Sequence, residues 1–473
     1  MPTTIPGNLI FQSPTNNDTL LDLNTQPSLD LQFAASKTLD DRVSGLPLVD
    51  HQRDVSSGKS AGTYVGSDGL IKTSVANLLT YSNEFTNAAW DKNEVILTPN
   101  AAEAPDGTFT ATKISATTVS TDEHRLVHTT SAGSGIQTIW SVYAKAGENT
   151  KIGLRRNSSD GLDLGQVDLI NGTLLRAVPG YTTTITNAAN GWWRISLSFS
   201  TTAAAYLRPC ICPIPDSLPT TADADTPYSD DGSSGIYIWG AQMEEGTIAS
   251  TYIPTTNLPS AAPRFDHDPV TGESLGLLVE ESRTNLVQRS EEFDDTYWFK
   301  RNSAAIVANT VVAPDGNTTA DELQHPGGST YARIETTGAT PSVTSGVSYS
   351  FTIYAKYKPS SDANYLGIQF QRASGFSYIN LSTKTVDSGD GDVELLGNDW
   401  IRFRRTFAAD STGTSQVYIY PTNTTDTTPS SIAANAGLYI WGAQLEKGSF
   451  PTSYIHHRYR RHPCCRCGKY YGD

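Results

Sequence analysis

Ile236-Tyr237-Ile238-Trp239-Gly240-Ala241-Gln242-Met243-Glu244 is the stretch that decides the fold, because it returns almost unchanged as Leu438-Tyr439-Ile440-Trp441-Gly442-Ala443-Gln444-Leu445-Glu446. Side chains alternate along a β-strand, so Tyr237 and Trp239 share one face and Ile238 lies on the other. Both faces are apolar. The stretch therefore predicts a central, buried strand that occurs once in each half of the chain.

Other landmarks recur around this strand in one order and at similar spacing. They are Asn77–Phe85 against Asn285–Phe293, Trp90 against Trp298, Ala104–Thr108 against Ala313–Asn317, Val142–Lys145 against Ile353–Lys356, and Asn190–Arg194 against Asn398–Arg402. A self-similarity that extends over about 180 residues indicates one structural unit present twice. Pro105-Asp106-Gly107 and Pro314-Asp315-Gly316 are turn sequences, which punctuate short strands.

These patterns predict an all-β protein with two tandem jelly-roll β-sandwich modules, preceded by an extended N-terminal arm. The arm has two short apolar patches in polar surroundings, too little for a core of its own, so we expect it to order against a partner. The predicted boundaries are 1–76 for the arm, 77–256 for the first module, 257–284 for a linker with one short strand at Leu275–Glu280, 285–456 for the second module, and 457–473 for a basic Cys/His-rich tail.

The charge balance excludes one large class of function. The 473 residues carry a formal charge of −15, whereas nucleic-acid binders concentrate Lys and Arg. The N-terminus shows no basic stretch followed by an apolar run, and no segment approaches the apolar length of a membrane span. The sequence thus predicts neither nucleic-acid binding nor membrane insertion, and the five cysteines are too few and too clustered to hold both modules together.

The repeated motifs resemble a known family. Asn77–Ser82 with Phe85 and Trp90, together with Tyr237–Glu244, resemble the carbohydrate-binding-module-like β-sandwiches of tail-fibre and other virion proteins of tailed bacteriophages. Ala262–Pro269, followed by Gly276–Leu286, is similar to the joint that precedes such modules in those proteins. Here the joint lies between the two modules, which leaves open which of them is the added one.

The resemblance implies a virion structural protein, most simply a tail-fibre or appendage subunit that adheres to a host-surface glycan. It also implies particle attachment or oligomerisation through the arm, contacts with other virion proteins, a homotrimer, synthesis in the host cytoplasm and release by lysis. The alternative is a capsid decoration or head-fibre scaffold without ligand binding. We expect no enzyme and no cofactor, because the sequence has no nucleophile elbow, paired-histidine metal motif or phosphate loop.

Ligand-binding residues are expected where the two modules differ. The tryptophans that recur in both copies, Trp90/Trp298, Trp192/Trp400 and Trp239/Trp441, favour core packing over sugar stacking. Planar polar side chains can pair with sugar hydroxyls, and alignment of the copies puts Arg155 and Gln369 in equivalent places. The candidates, for which an ordinary solvated strand face is the alternative, are Arg155, Arg156, Trp193, Gln369, Gln371 and Arg372.

Two segments contain residue types that bind metals. Asp223, Asp225, Asp230 and Asp231 lie in one loop and could hold calcium, although a solvated acidic loop is the favoured interpretation. The tail from His456 to Lys469 contains Cys464, Cys465 and Cys467 and could hold zinc. Its adjacent cysteines are unlike the separated pairs of zinc fingers, so a flexible basic tail is the favoured interpretation.

Overall fold

The structure is a computed structural model, and it describes residues 55, 62–119, 123–132, 136–156, 165–200, 205–221, 228–338, 341–426 and 430–456. In these ranges every regular element is a β-strand. The all-β prediction is therefore confirmed, and so is the arrangement as two β-sandwiches. Most of the predicted N-terminal arm and the C-terminal tail from 457 onward lie outside the described residues.

The strands are numbered in chain order. The first two are β1 (Thr63–Val65) and β2 (Ile71–Thr73). The next sixteen are β3 (Ala76–Asn77), β4 (Trp90–Asn93), β5 (Val95–Ala102), β6 (Ala111–Ala116), β7 (Arg125–His128), β8 (Thr130–Ala132), β9 (Gln137–Lys145), β10 (Lys151–Arg156), β11 (Gly165–Asp168), β12 (Thr173–Arg176), β13 (Thr182–Asn187), β14 (Trp192–Ser200), β15 (Ala205–Leu207), β16 (Pro209–Ile214), β17 (Gly235–Glu245) and β18 (Ser260–Ala261).

The remaining sixteen strands follow the repeat. They are β19 (Phe265–His267), β20 (Ser274–Leu277), β21 (Trp298–Arg301), β22 (Ala305–Val311), β23 (Ala320–Gln324), β24 (Arg333–Thr336), β25 (Ser342–Val343), β26 (Ser348–Lys356), β27 (Tyr365–Phe370), β28 (Phe376–Asn380), β29 (Thr385–Ser388), β30 (Asp392–Leu395), β31 (Trp400–Ala408), β32 (Gly413–Thr414), β33 (Val417–Thr422) and β34 (Gly437–Lys447).

The first unit, which among the described residues comprises residue 55 and residues 74–262, packs two six-stranded antiparallel sheets face to face. One sheet has the order β12-β11-β10-β16-β7-β4 and the other β13-β14-β9-β17-β6-β5. The predicted central strand is β17, which pairs with β9 on one side and β6 on the other. Its side chains and those of β9 line the apolar core between the sheets.

The second unit repeats this plan. It comprises residues 62–73 and the chain from Pro263 onward, with sheets β21-β24-β33-β27-β28-β29 and β22-β23-β34-β26-β31-β30. The central strand is again the repeated one, β34, between β23 and β26. All the tryptophans shared by the two copies are buried, which confirms that they pack in cores.

The first unit is an insertion into the second. The chain leaves the second unit after β2 and re-enters it at β19. The two ends of the insertion are hydrogen-bonded to each other, since Ser74 Oγ donates to the carbonyl oxygen of Ala262 at 2.8 Å and Ala262 N donates to Val75 O at 2.8 Å. The first sandwich is therefore the added module, which the sequence left open.

The joint resembling that of fibre proteins ties three distant segments of the second unit together. Arg264, 4% exposed, donates from one guanidinium nitrogen to Thr63 O, to the Glu280 carboxylate at 2.9 Å and to Ser453 Oγ. Asp266 accepts the backbone N–H of Val65 at 2.7 Å. The end of the predicted arm thus orders within its own chain, as the β1–β2 hairpin, beside the β19–β20 hairpin.

The strand expected in the linker lies slightly earlier than the sequence suggested. The apolar run Leu275–Glu280 predicted its position, but β20 is Ser274–Leu277 and it pairs with β19 across a turn at Gly272. Leu278 N still donates to Arg264 O, after which Val279 is 80% exposed. Beyond Leu278 the chain leaves the β19–β20 hairpin, and Glu280 accepts a hydrogen bond from Arg264.

Two residues of the repeated motifs explain why the motifs persist. The amide of Asn285 donates to Ala443 O and Ile455 O and accepts from Val287 N and Leu445 N. Its equivalent Asn77 makes the same set of four bonds in the first unit. Each asparagine satisfies buried backbone groups that no strand partner reaches.

The glycine of the Trp-Gly-Ala motif creates a bulge in each central strand. Gly240 and Gly442 have φ of 59° and 62°, and the register with β9 and β26 shifts at this point. A Cβ on Gly442 would lie 2.9 Å from the Tyr354 ring. Because L side chains avoid positive φ and no space exists for one, glycine is required here.

One buried group in each unit should contribute to the pH dependence of stability with the opposite sign. In the first, burial lowers the pKa of His128 to about 4. Its folded pKa lies below the unfolded value, so the stability it contributes above about pH 6.5 is lost as the pH falls. In the second, burial raises the pKa of Asp321 to about 6. Stability from that carboxyl is present at low pH and is lost as the pH rises through 6.

Calorimetry between pH 4 and pH 7.5 measures this difference, with each effect at most about 3 kcal/mol. We expect acid to lower the melting temperature of the first unit relative to the second. Thr336 and Thr112 occupy the equivalent register positions, so His128→Thr and Asp321→Thr are matched substitutions that should each flatten one unit's pH profile. Identical pH profiles of the two transitions would contradict the assignment.

Candidate functional site

One face of the second unit collects aromatic and planar polar side chains. In the sheet that contains β24, β33, β27 and β28, Ile334, Ile368 and Ile419 point into the core. The alternate residues of these strands therefore point outward. That outward set, called here the aromatic face, comprises Phe299, Arg301, Arg333, Glu335, Gly367, Gln369, Phe376, Tyr378, Tyr418 and Tyr420, with Tyr331 from the loop before β24.

Strand register aligns half of these residues in one row. Phe299 lies opposite Glu335, Glu335 opposite Tyr418, Tyr418 opposite Gln369, and Gln369 opposite Phe376. The row crosses five neighbouring strands, which at the usual strand spacing is about 19 Å. It is therefore long enough to contact several rings of an extended ligand.

A second row lies beside the first. It places Arg301 opposite Arg333, and Gly367 between Tyr420 and Tyr378. A Cβ on Gly367 would lie 3.2 Å from the Cβ of Tyr420 and 3.4 Å from a ring carbon of Tyr378. The two tyrosines therefore close over the backbone at this position and leave little room for a side chain.

The rings of the aromatic face pack against one another and hold their orientation. Tyr331 and Tyr420 have centroids 4.6 Å apart, and Phe376 stacks on Tyr378 at 5.7 Å with an interplanar angle of 8°. A shallow pocket opens beside them, lined by Tyr331, Ala332, Tyr378, Tyr420, Pro421, Thr422 and Asp426. Burial, together with Tyr331 and Asp426, raises the pKa of Tyr378 to about 12, so its hydroxyl stays protonated.

One buried carboxylate binds both arginines of the face. Glu335 accepts from Arg301 at 2.5 Å and from Arg333 Nε at 2.7 Å. Burial opposes its ionisation, but the hydrogen bonds from the two guanidinium groups hold the pKa of Glu335 below its usual value. Arg333 is also fixed among aromatic rings, with its guanidinium carbon 4.5 Å from the centroid of Tyr418.

Of the residues proposed from sequence, Gln369 lies within the aromatic face. Its Oε1 accepts from the Tyr420 hydroxyl at 2.9 Å. Gln371 and Arg372 lie past the end of β27, where Gln371 accepts from Gln416 N. Arg372 donates to Thr414 O at 2.7 Å and to Ser411 Oγ at 2.6 Å, which fixes a neighbouring loop. These two residues are thus not part of either row.

Arg155 occupies the position equivalent to Gln369, but in a different environment. Arg155 lies opposite Cys210 on the neighbouring strand, and Gln369 lies opposite Tyr418 on the equivalent strand of the second unit. The register therefore agrees with the alignment of the two copies. The side chain is 2% exposed, and it donates to Glu123 at 2.6 Å. This burial favours a structural role for Arg155, because a sugar could not reach its guanidinium group.

The first unit covers the equivalent face with its own side chains. Cys210 and Cys212 project where the second unit has Tyr418 and Tyr420. Together with Val127 they form a buried apolar cluster with Leu218, and Tyr228 packs against it. Within the described residues the two units therefore differ. Leu218 and Tyr228 cover the face of the first unit, whereas Tyr331, Phe376 and Tyr418 stay partly exposed on the face of the second.

Two further candidates of the first unit lie elsewhere. Trp193 is on β14, in the opposite sheet, and its indole N–H donates to Leu169 O at 2.9 Å. Its ring also fills the space above Gly172. This half-buried side chain supports a loop. The side chain of Arg156 lies outside the described residues.

The predicted calcium loop is described only in part. Asp223 and Asp225 lie outside the described residues. Asp230 accepts from the Asn149 amide, and Asp231 accepts from the N–H groups of Ser233 and Ser234, which lower its pKa and close a turn. No group of three or more metal-binding side chains occurs in the described ranges. The cysteines of the proposed zinc tail also lie outside them.

Sequence reasoning missed most of the aromatic face, although a signal was present. Val417-Tyr418-Ile419-Tyr420 alternates aliphatic and tyrosine residues, which in a strand places both tyrosines on the face opposite the core. Arg333-Ile334-Glu335 alternates in the same way. Their assembly depends on strand order, which the sequence does not contain.

Comparisons with known proteins find only remote structural similarity. No protein-family model and no curated protein sequence matches it. Among solved structures, the CBM22-1-CBM22-2 tandem domain of Xyn10C from Paenibacillus barcinonensis aligns at 10% identity and a TM-score of 0.24, covering 83% of this chain and 100% of that one. The ANXUR2 extracellular domain from Arabidopsis thaliana aligns at 10% identity and a TM-score of 0.23, covering 82% and 95%. Such scores carry no argument about function.

Among the described residues, no helix is long and apolar enough to cross a membrane.

Proposed function

We propose that this chain is a non-catalytic glycan-binding protein, and that the aromatic face of the second unit is its binding surface. The observation that carries the proposal is the row in which Tyr418, Gln369 and Phe376 stand side by side on neighbouring strands. Aromatic rings offer flat apolar surfaces to the C–H faces of sugar rings. Amide and guanidinium groups between them can pair with sugar hydroxyls.

The same face does not favour catalysis. Glycoside hydrolysis needs two carboxyl groups flanking the bond, one of which must hold a proton. Glu335 is the carboxylate of the row, and it is buried, ionised and bound by two arginines. A carboxylate neutralised in this way supports ligand binding through the arginines rather than proton transfer.

For the biological setting, we propose a tail-fibre or appendage subunit of a tailed-phage virion. The support is the resemblance of the repeated motifs and of the joint around Arg264 to such proteins. In this proposal the protein is a homotrimer that contacts other virion proteins, is made in the host cytoplasm and is released by lysis. Several copies would multiply weak contacts into firm adhesion.

The competing function is a capsid or head-fibre scaffold without a ligand. Scaffolding predicts polar Ser/Thr faces throughout. The partly exposed rings of Phe299, Phe376 and Tyr418 on the second unit favour adhesion instead, because a contiguous exposed apolar patch marks a contact surface.

Phe376→Ala and Tyr418→Ala should each weaken glycan binding by about tenfold or more, because each removes one stacking surface. The measurement is a glycan array with the full chain, followed by calorimetric titration of the strongest ligand and by whole-cell binding. Phe109→Ala is the matched control, since Phe109 is 65% exposed and lies in the first unit. A wild-type protein that binds neither glycan nor cells would refute the proposal.

A further inference from the structure

Two arginines lie directly opposite each other on the aromatic face. Arg301 on β21 and Arg333 on β24 are register partners. Like charges in opposite positions of a sheet destabilise it unless something compensates them. Glu335 compensates, but as one carboxylate between two guanidinium groups. This trio therefore keeps one unit of positive charge, on a chain whose formal charge is −15.

The positive charge of Arg301 is exposed to solvent, while Glu335 and Phe299 hold its guanidinium group in place. The side chain of Glu335 is 3% exposed, whereas that of Arg301 is 47% exposed. The Arg301 guanidinium lies 4.9 Å from the Phe299 ring centroid and binds Glu335 through one terminal nitrogen. In the described part of the chain its other nitrogens make no hydrogen bond. A ligand thus meets an oriented guanidinium edge with free N–H donors.

Other charges divide the face into two ends. Asp387 binds the Tyr365 hydroxyl on the β28–β29 side of the face. The arginines lie at the opposite edge of the sheet, on β21 and β24. An anionic group on a ligand would be repelled near Asp387 and attracted near Arg301. The face can therefore orient a ligand that carries negative charge.

We infer that the glycan is anionic, with a carboxylate or phosphate substituent bound at Arg301 and Arg333 while neighbouring rings lie on Tyr418 and Phe376. This inference rests on the proposed function, since it names the ligand class of the same site. Arginine suits the task because its planar fork can donate two parallel hydrogen bonds to one carboxylate or phosphate.

The test pairs each acidic polysaccharide of a bacterial surface panel with its carboxyl-reduced form and its dephosphorylated form. Titrated with the full chain, the native polymer should bind about tenfold or more tightly than the form that lacks its anionic group. The treatment that lowers the affinity, carboxyl reduction or dephosphorylation, identifies the anionic group as carboxylate or phosphate. Arg301→Gln should erase the difference between the paired forms, and added salt should weaken native binding more than neutral binding.

Arg404→Gln is the matched control, because Arg404 is also a half-buried, ion-paired arginine but lies on β31 in the other sheet. It should leave both affinities unchanged. Equal binding of native and neutralised polymers that still depends on Phe376 would overturn the anionic assignment and leave glycan binding intact. Binding that ignores Phe376→Ala would show charge attraction alone, and binding by no polymer would refute the proposed function itself.

Discussion

Removing residues 74–262 and joining Thr73 to Pro263 through a short glycine linker should leave the second unit folded, with its melting transition and glycan affinity unchanged. The ends of the removed segment already lie within hydrogen-bonding distance of each other, through Ser74 and Ala262. Closing so small a gap adds little loop entropy. The truncated protein should therefore show one cooperative transition where the full chain shows two.

A chain that simply begins at Pro263 should behave very differently, losing about 4 kcal/mol or more of the second unit's stability. It lacks the β1–β2 hairpin, so Ile71 no longer fills its place beside Trp441 and Tyr454. Arg264 also loses its bond to Thr63 O. Urea unfolding of the two proteins gives the comparison. Equal stability would mean that the second unit does not need the β1–β2 hairpin. The segments on the two sides of the insertion would then not form one folding unit.

Asn285→Ala should lower the free energy of unfolding of the second unit by about 4 kcal/mol, because it leaves several buried backbone groups without partners. Val287 N, Leu445 N, Ala443 O and Ile455 O all depend on this one amide. Differential scanning calorimetry should show a lower melting temperature for the second unit and an unchanged one for the first.

The repeat supplies the reciprocal experiment. Asn77→Ala should destabilise the first unit alone, since Asn77 makes the equivalent four bonds there. Asn317→Ala is the control for the substitution itself, because that exposed amide bonds only within its own turn. If Asn77→Ala shifted both transitions together, the two units would unfold as one and the division of the chain would need revision.

Much of the fold could be predicted from the sequence because each apolar and turn pattern occurs in both copies of the repeat. The apolar pattern around Trp239 and Trp441 predicts the central strands, and turn residues such as Gly107 predict where strands end. The insertion could not be predicted in the same way. It depends on contacts such as Arg264 with Thr63 and Ser453, which lie far apart in the chain and carry no periodicity.

The candidate site was predictable only at Gln369. Arg155 has the same register position and the same planar polar chemistry, yet it is buried against Glu123. What separates the two is the packing of Leu218 and Tyr228 against Cys210 and Cys212 on the first unit's face. Whether a strand residue meets solvent depends on what packs over it, and that is a tertiary property.

The hydrogen bond from Thr63 Oγ1 to Tyr454 O joins residues 391 positions apart. During synthesis, Thr63 leaves the ribosome long before Tyr454 has been made, and the whole first sandwich emerges between them. Domains generally fold as units while the chain is being synthesised, whereas contacts between distant residues form slowly. The β1–β2 hairpin can pair within itself and with Asp266 earlier, but its contact with Tyr454 must wait until the end of the described chain has been made. The first described strands are thus among the last to complete their contacts.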